Sequence, residues 1–254
     1  EEYADYLLWL RNVLEIPVEN EHCVGAIDWN FNENCFSVPV QNKGKKKVLF
    51  AQKVILALGE DGVVKWKVPD FISERLSASL FTHTRDPISF EKFKGKNVGI
   101  LGGGSSAFDN AHHTLISGAR EVRMFIRRSK ITSINTFRWA DFVGFLEGYN
   151  DLPLQDKWKF MYKLYDIGLG KRPPGDRYEQ VKKFKNYFLH VSSPWKSVRE
   201  KGGKAVVRTP KGDFTFDHLI IATGLQTDLS LRPELEQICN KIALWSDRYT
   251  PPKD

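Results

Sequence analysis

The stretch Asn97-Val98-Gly99-Ile100-Leu101-Gly102-Gly103-Gly104-Ser105-Ser106-Ala107 decides how the rest of the chain is read. Residues 97–101 are apolar and strand-prone, and an unbroken glycine run follows at once. From Ser105 the period becomes helical, with Ala107, Phe108, Ala111, Leu115 and Ile116 on one stripe and Gly118 as a natural stop. A second strand over residues 121–126 leads into Arg127-Arg128. Strand, helix and strand in this order begin a βαβ unit, which argues for a parallel sheet.

Gly102, Gly103, Gly104, Ser105, Ser106 and Ala107 fit G-x-G-x-x-G/A with a strand directly before and a helix directly after. Gly102 permits the tight turn, Gly104 lets the backbone approach a pyrophosphate, and the small Ala107 lets helix and strand pack closely. The helix N-terminus offers unpaired N–H groups to the phosphates. The alternative is a glycine turn with a purely structural role. Behind the second strand, NAD binders place a carboxylate for the ribose 2′-hydroxyl. This chain has Arg127 and Arg128 there, which would pair with a 2′-phosphate and favour NADP(H) over NAD(H).

Working outward, residues 1–14 read as an amphipathic helix through Tyr3, Tyr6, Leu7, Leu10 and Leu14. The chain begins inside this helix without a Met, and it reads as a fragment. Alternating residues Cys23, Ile27, Trp29 and Phe31, then Phe36, Val38 and Val40, predict strands around an Asn32-Glu33-Asn34 turn. Residues 54–58 form a continuous apolar run ended by Gly59, which predicts a strand covered on both faces. Residues 61–96 read as a connection. Phe137, Trp139, Phe142, Phe145, Tyr149, Trp158, Phe160, Tyr162 and Tyr165 crowd into two helical segments separated by Pro153. They line a cavity or pack a helical insertion onto the sheet. A short strand over 186–190 and a hairpin over 204–216 precede Leu219-Ile220-Ile221-Ala222-Thr223-Gly224.

That last unit repeats an earlier one. A hairpin over a Lys-Gly turn, then an apolar run ending in glycine, occurs at Lys43-Gly44 with residues 54–59 and again at Lys211-Gly212 with residues 219–224. Only the second copy is preceded by a glycine-rich βαβ. Two related domains are expected, with the first lacking its own glycine unit. The run at 54–58 would then lack parallel neighbours. It would be left as an exposed edge, or pair with a second copy of the chain as a homodimer.

Lys and Arg number 38 against 31 Asp and Glu, a net charge of +7, and 41% of residues are hydrophobic, so the chain is globular. Its densest apolar run is far short of the about 20 residues that span a bilayer, so no membrane partner is expected. No secretory signal opens the chain. The three cysteines contain no CxxC, so neither a zinc site nor a dithiol pair is expected, and a cytoplasmic setting is the default. Lys43, Lys45, Lys46 and Lys47 read as a solvated hairpin tip rather than a nucleic-acid patch. Tyr178 and Lys182 match a Tyr-x-x-x-Lys acid pair, but no Ser lies nearby to complete a triad, and helix surface is the better reading. His112 and His113 are adjacent on one helix and point apart, unlike metal ligands.

Residues 94–107 resemble the NADPH segment of flavin-containing monooxygenases and related Baeyer–Villiger enzymes. Ile220-Ile221-Ala222-Thr223-Gly224 resembles their "ATG" strand end, and Leu56-Ala57-Leu58-Gly59 a degenerate version. His83 stands where the family has a Gly-x-x-x-His signature, with Ser79 in place of the Gly. The resemblance implies an α/β fold: a Rossmann-like NAD(P)-binding domain with a parallel sheet over 63–225, carrying the connector and the aromatic insertion. Flanking it would be pieces of an FAD-type domain, residues 1–62 and a return segment over 226–254. Ala222, Thr223 and Gly224 would lie at the cofactor. NADPH would pass a hydride to FAD, and the reduced flavin with O2 would oxygenate a small-molecule substrate. No catalytic residue is assigned, and the fragment alone is expected to be inactive. The alternatives are an NADPH-dependent flavoprotein reductase or a non-catalytic nucleotide-binding module. A disulfide reductase is disfavoured by the missing CxxC.

Overall fold

The computed structural model describes residues 2–59, 64–131, 140, 142–168 and 177–252. The chain divides into two compact units, one made of residues 1–65 and 227–243, the other of residues 66–226 and 244–254.

The first unit opens with helix α1 (Glu2–Val13), which has the expected period but no buried residue. Strands β1 (Cys23–Val24), β2 (Asp28–Asn30), β3 (Cys35–Asn42) and β4 (Lys45–Ala51) form an antiparallel sheet in which β3 pairs with each of the others. The β3–β4 turn places Lys43 at φ 44° and Gly44 at φ 82°. Two successive left-handed residues match the twist of a tight hairpin. Ile27, Val38 and Val40 are the buried core, with Phe36, Val54 and Ile238 packed against them. The expected strand at 54–58 does not form. Residues 53–59 are irregular, and Ile55 is 89% exposed. A two-sided buried strand needs a partner along its edges for its N–H and C=O groups. Among the described residues no strand pairs with this run. Its terminal Gly59 has φ +70°, close to the +80° of Gly224 at the end of the matching run.

Strand β5 (Val64–Trp66) leads into the second unit, where a short helix α2 (Asp70–Ser73) precedes β6 (Phe81–His83). Then come β7 (Asn97–Leu101), α3 (Ser105–Ile116) and β8 (Glu121–Phe125), as the periodicity predicts. Helices α4 (Val143–Gly148) and α5 (Leu154–Gly168) carry the aromatic segment, with Pro153 between them. Phe145 stacks on Phe160, and Trp158 contacts Tyr162, Trp245 and Tyr249. Phe137 and Trp139 lie outside the described residues, as does the side chain of Tyr165. Helix α6 (Arg177–Lys182) leads to β9 (Tyr187–His190), the meander β10 (Ser197–Lys201), β11 (Lys204–Thr209) and β12 (Gly212–Phe216), and then β13 (His218–Ile221). Strand β14 (Leu225–Thr227) pairs with β5.

The central sheet has five strands in the order β6-β13-β7-β8-β9, all parallel. This is the expected α/β architecture of a Rossmann-type fold, with β6 as an extra edge strand inside the segment read as a connection. The unalternating apolar runs of β7 and β13 follow from cover on both faces. Val98, Ile100 and Ile220 pack with Phe108, Ala111 and Leu115 of α3 on one face. Leu219 and Ile221 pack with Val198, Val207 and Phe216 of the meander on the other. Gly99 belongs to that second face. A Cβ there would sit 2.8 Å from the Phe216 ring, so the phenyl fills the space a larger residue would claim.

Candidate functional site

Beyond Leu101 the chain turns through α3 to β8 on one side, while β13 returns to the other side of β7. That divergence is a topological switch point, and it opens a crevice at the carboxyl ends of β7 and β13. The three glycines of the turn serve different ends. Gly102 has φ +138°, and a Cβ on it would lie 2.2 Å from the Ala222 carbonyl oxygen. Its N–H donates to Phe125 O at 3.1 Å, and the Ala222 N–H donates to Leu101 O at 2.8 Å. At Gly103 a Cβ would meet the Ile126 side chain at 2.9 Å. Gly104 is the N-cap of α3 at φ −87°, ψ 177°, and a Cβ there would meet nothing within 4 Å. No side chain caps this helix. Ala107 N–H donates back to Gly104 O at 3.0 Å, and the N–H groups ahead of it at this uncapped N-terminus are the donors an anionic group requires. Ser105 is half-buried and Ser106 exposed in that first turn, while Ala107 is fully buried against the sheet.

Arg127 and Arg128 follow β8 and Ile126 at the same strand edge. Ser193 N–H donates to Ile126 O at 2.9 Å and Ser192 N–H to Arg128 O at 2.7 Å, which holds this backbone in place. Arg127 is exposed and Arg128 half-buried, and no carboxylate among the described residues pairs with either. Ala222, Thr223 and Gly224 continue β13 at that edge, and the Thr223 hydroxyl donates to Lys67 O at 2.7 Å. The fold thus brings together all three segments singled out in the sequence.

It also adds Trp66 and Arg85, which the sequence reading left out, and joins them to His83 of the Gly-x-x-x-His signature position. His83 ends β6, is 4% exposed, and lies 5.5 Å from the Trp66 ring. The guanidinium of Arg85 sits 5.1 Å above the same indole. Burial pushes the His83 pKa down, opposed by the charge of Asp86 and by the nearby Gly224 backbone. Trp66 and Arg85 carry no motif: the pairing of β6 with β13 places Arg85 just beyond His83, and Trp66 ends β5 and meets the His83 ring.

The other candidates separate from it. Lys182 Nζ sits over the Tyr178 ring at 4.8 Å and ion-pairs with Glu179, while Tyr178 packs edge-on against Phe108. His112 faces Arg177 and His113 faces Phe90. Among the described residues no group of His, Cys, Asp and Glu could hold a metal ion, and no helix is long and apolar enough to cross a membrane.

Comparison with known proteins bears on the family and the fold. Residues 1–139 match the family described as pyridine nucleotide-disulphide oxidoreductase. The chain belongs to this family. A curated relative, the FAD-dependent urate hydroxylase of Xanthomonas campestris pv. campestris, is 37% identical over 250 residues, covering 98% of this chain and 52% of the relative. The chain therefore spans about half the length of that relative. Among solved structures, the reduced ornithine hydroxylase of Pseudomonas aeruginosa superposes with a TM-score of 0.66 at 16% identity, over 94% of this chain and 62% of that one. The L-lysine 6-monooxygenase of Pseudomonas syringae gives 0.66 at 18% identity, over 93% and 60%. At such identities these two share the fold.

Proposed function

We propose that this chain carries the NADP(H)-binding domain, with flanking pieces of an FAD-type domain, of a flavin-dependent monooxygenase. Residues 63–225 form the nucleotide domain in this reading, and residues 1–62 and 226–254 belong in sequence to the FAD-type domain, with 244–254 packing back on the nucleotide unit. One observation carries it: the uncapped α3 N-terminus and the open side of Gly104 lie at a switch point, with Arg127 and Arg128 beside them. Gly102 would make the tight turn, its own N–H held by Phe125 O, and Gly103, Gly104, Ser105 and Ser106 would hold the pyrophosphate by backbone N–H groups. Arg127 and Arg128 would hold the 2′-phosphate. Ala222, Thr223 and Gly224 would form the opposite wall. NADPH, when bound, supplies a hydride to flavin, and the protein orients it and shields it from water.

The reaction class is supported by the relative's name, which makes urate the first small-molecule substrate to test on the whole protein. The cysteines of this stretch supply no dithiol pair. Cys23 is exposed, Cys35 buried and Cys239 half-buried, all are free, and none belongs to a CxxC. The test of the nucleotide site is calorimetric titration with NADP(H) and NAD(H). Tighter binding of NADP(H) is expected, and equal affinities would remove the assignment.

A further inference from the structure

The edge strand β6 brings a second cluster to the crevice, on the side away from the arginines. His83 Nδ1 accepts a hydrogen bond from the Arg85 backbone N–H at 3.2 Å. A backbone N–H can only donate, so in the neutral ring the proton sits on Nε2. That Nε2 is buried and makes no well-formed hydrogen bond; the Gly224 backbone, near enough to raise the ring's pKa, is a neighbouring acceptor. A buried donor without a well-formed bond carries a cost that a bound acceptor would remove. The backbone that carries the ring is held: the His83 main-chain N–H donates to Asp86 Oδ2 at 2.6 Å, and Thr84 N–H donates to Ile221 O at 3.0 Å. Trp66 is held by its neighbour Lys67, whose carbonyl accepts from Thr223, and by the Arg85 guanidinium over its ring.

The strand order gives this cluster a direction. Arg127 and Arg128 follow β8, the glycine turn follows β7, and His83 ends β6 beyond β13. At the usual inter-strand spacing, β8 and β6 are about 14 Å apart. A dinucleotide with its 2′-phosphate at β8 and its pyrophosphate at the α3 N-terminus must carry its other half over β13 toward β6. We propose that Trp66, His83 and Arg85 form the seat of the nicotinamide riboside half, with His83 Nε2–H donating to an oxygen of that half and the Trp66 indole flanking it. The assignment rests on the NADP(H) reading above and adds binding residues to it.

The test compares NADP+ with adenosine 2′,5′-bisphosphate, which has both phosphate handles and no nicotinamide riboside. Each is titrated by calorimetry into the purified chain and its Trp66→Leu, Arg85→Ala and His83→Gln variants. In each variant NADP+ should weaken by about tenfold, the scale of one or two lost contacts. Binding of the bisphosphate should stay unchanged, and it doubles as proof that the sheet is intact. If NADP+ affinity is unmoved, or both ligands weaken together in the Trp66 and Arg85 variants, the seat is not where we place it. If the unmutated chain does not bind the bisphosphate, the NADP(H) reading itself is wrong and this inference goes with it.

Discussion

Gly102 and Ala222 approach so closely that a Cβ on Gly102 would lie 2.2 Å from the Ala222 carbonyl oxygen. The residues are far apart in sequence, and each follows a central strand, β7 or β13. Their contact joins the glycine turn to the 222–224 segment and makes the crevice a single structure.

Alanine substitutions should therefore separate folding from binding. Gly102→Ala combines a left-handed φ with a backbone collision. It should cost about 2–4 kcal/mol in urea unfolding. Gly104→Ala meets no atom and keeps an ordinary φ, so its effect on stability should stay within about 1 kcal/mol. Its nucleotide affinity should nevertheless fall, because the Cβ enters the face the phosphates would use. Equal destabilisation by the two changes would contradict this account.

Arg127→Ala and Arg128→Ala should erase the preference for NADP(H) while leaving NAD(H) binding in place. Each charged hydrogen bond lost should cost about 1.5–3 kcal/mol. The ratio of the two dissociation constants, measured on the double variant, decides it. A ratio that stays at the unmutated value would assign the 2′-phosphate to other residues.

His218 gives the fold a pH dependence. Burial, with Lys92 and Lys96 nearby, pushes its pKa from 6.5 down to about 4. Between those values the unfolded chain binds more protons than the folded one, so stability is full above pH 6.5 and is lost as pH falls toward 4. The full loss is about 3 kcal/mol. His83, also lowered by burial, acts in the same direction. Urea midpoints measured down this range should fall for the unmutated chain and fall less for His218→Gln. Parallel curves would show that His218 is not responsible.

The two apolar runs should respond in opposite ways to mutation. Ile55 is 89% exposed and Ile221 fully buried. Ile55→Lys should change stability by less than about 0.5 kcal/mol. Ile221→Ala should cost about 2–5 kcal/mol through the cavity it leaves. Thermal or urea unfolding of the two variants tests the assignment, and a large loss from Ile55→Lys would mean that this run is packed.

The purified 254-residue chain should be colourless and should not turn over NADPH. Its one strand–glycine–helix phosphate cradle is the turn at 102–107, which we assign to NADP(H). An absorption spectrum after gel filtration in the presence of FAD checks this. Stoichiometric flavin would reassign the glycine turn.

Local chemistry in the sequence determined β7, α3, β8 and the glycine turn. Each rests on a period, a stop residue or a backbone freedom that neighbouring residues set. It also placed Arg127, Arg128 and the 222–224 segment as candidates, although nothing local said that they meet. Only the tertiary structure decided which apolar run became a central strand. Residues 54–58 and 219–221 share one pattern, but burial depends on partners distant in sequence. Strands β6 and β7 flank β13 and satisfy its backbone, while no described strand pairs with 54–58. The same holds for Gly99, whose missing side chain makes room for Phe216 of a later hairpin. It holds again for His83 and Arg85, which reach the crevice because β6 pairs with β13 more than a hundred residues away in sequence, and for Trp66 of β5, which meets the His83 ring. Period and turn chemistry are properties of adjacent residues; strand order and burial are properties of the closed chain.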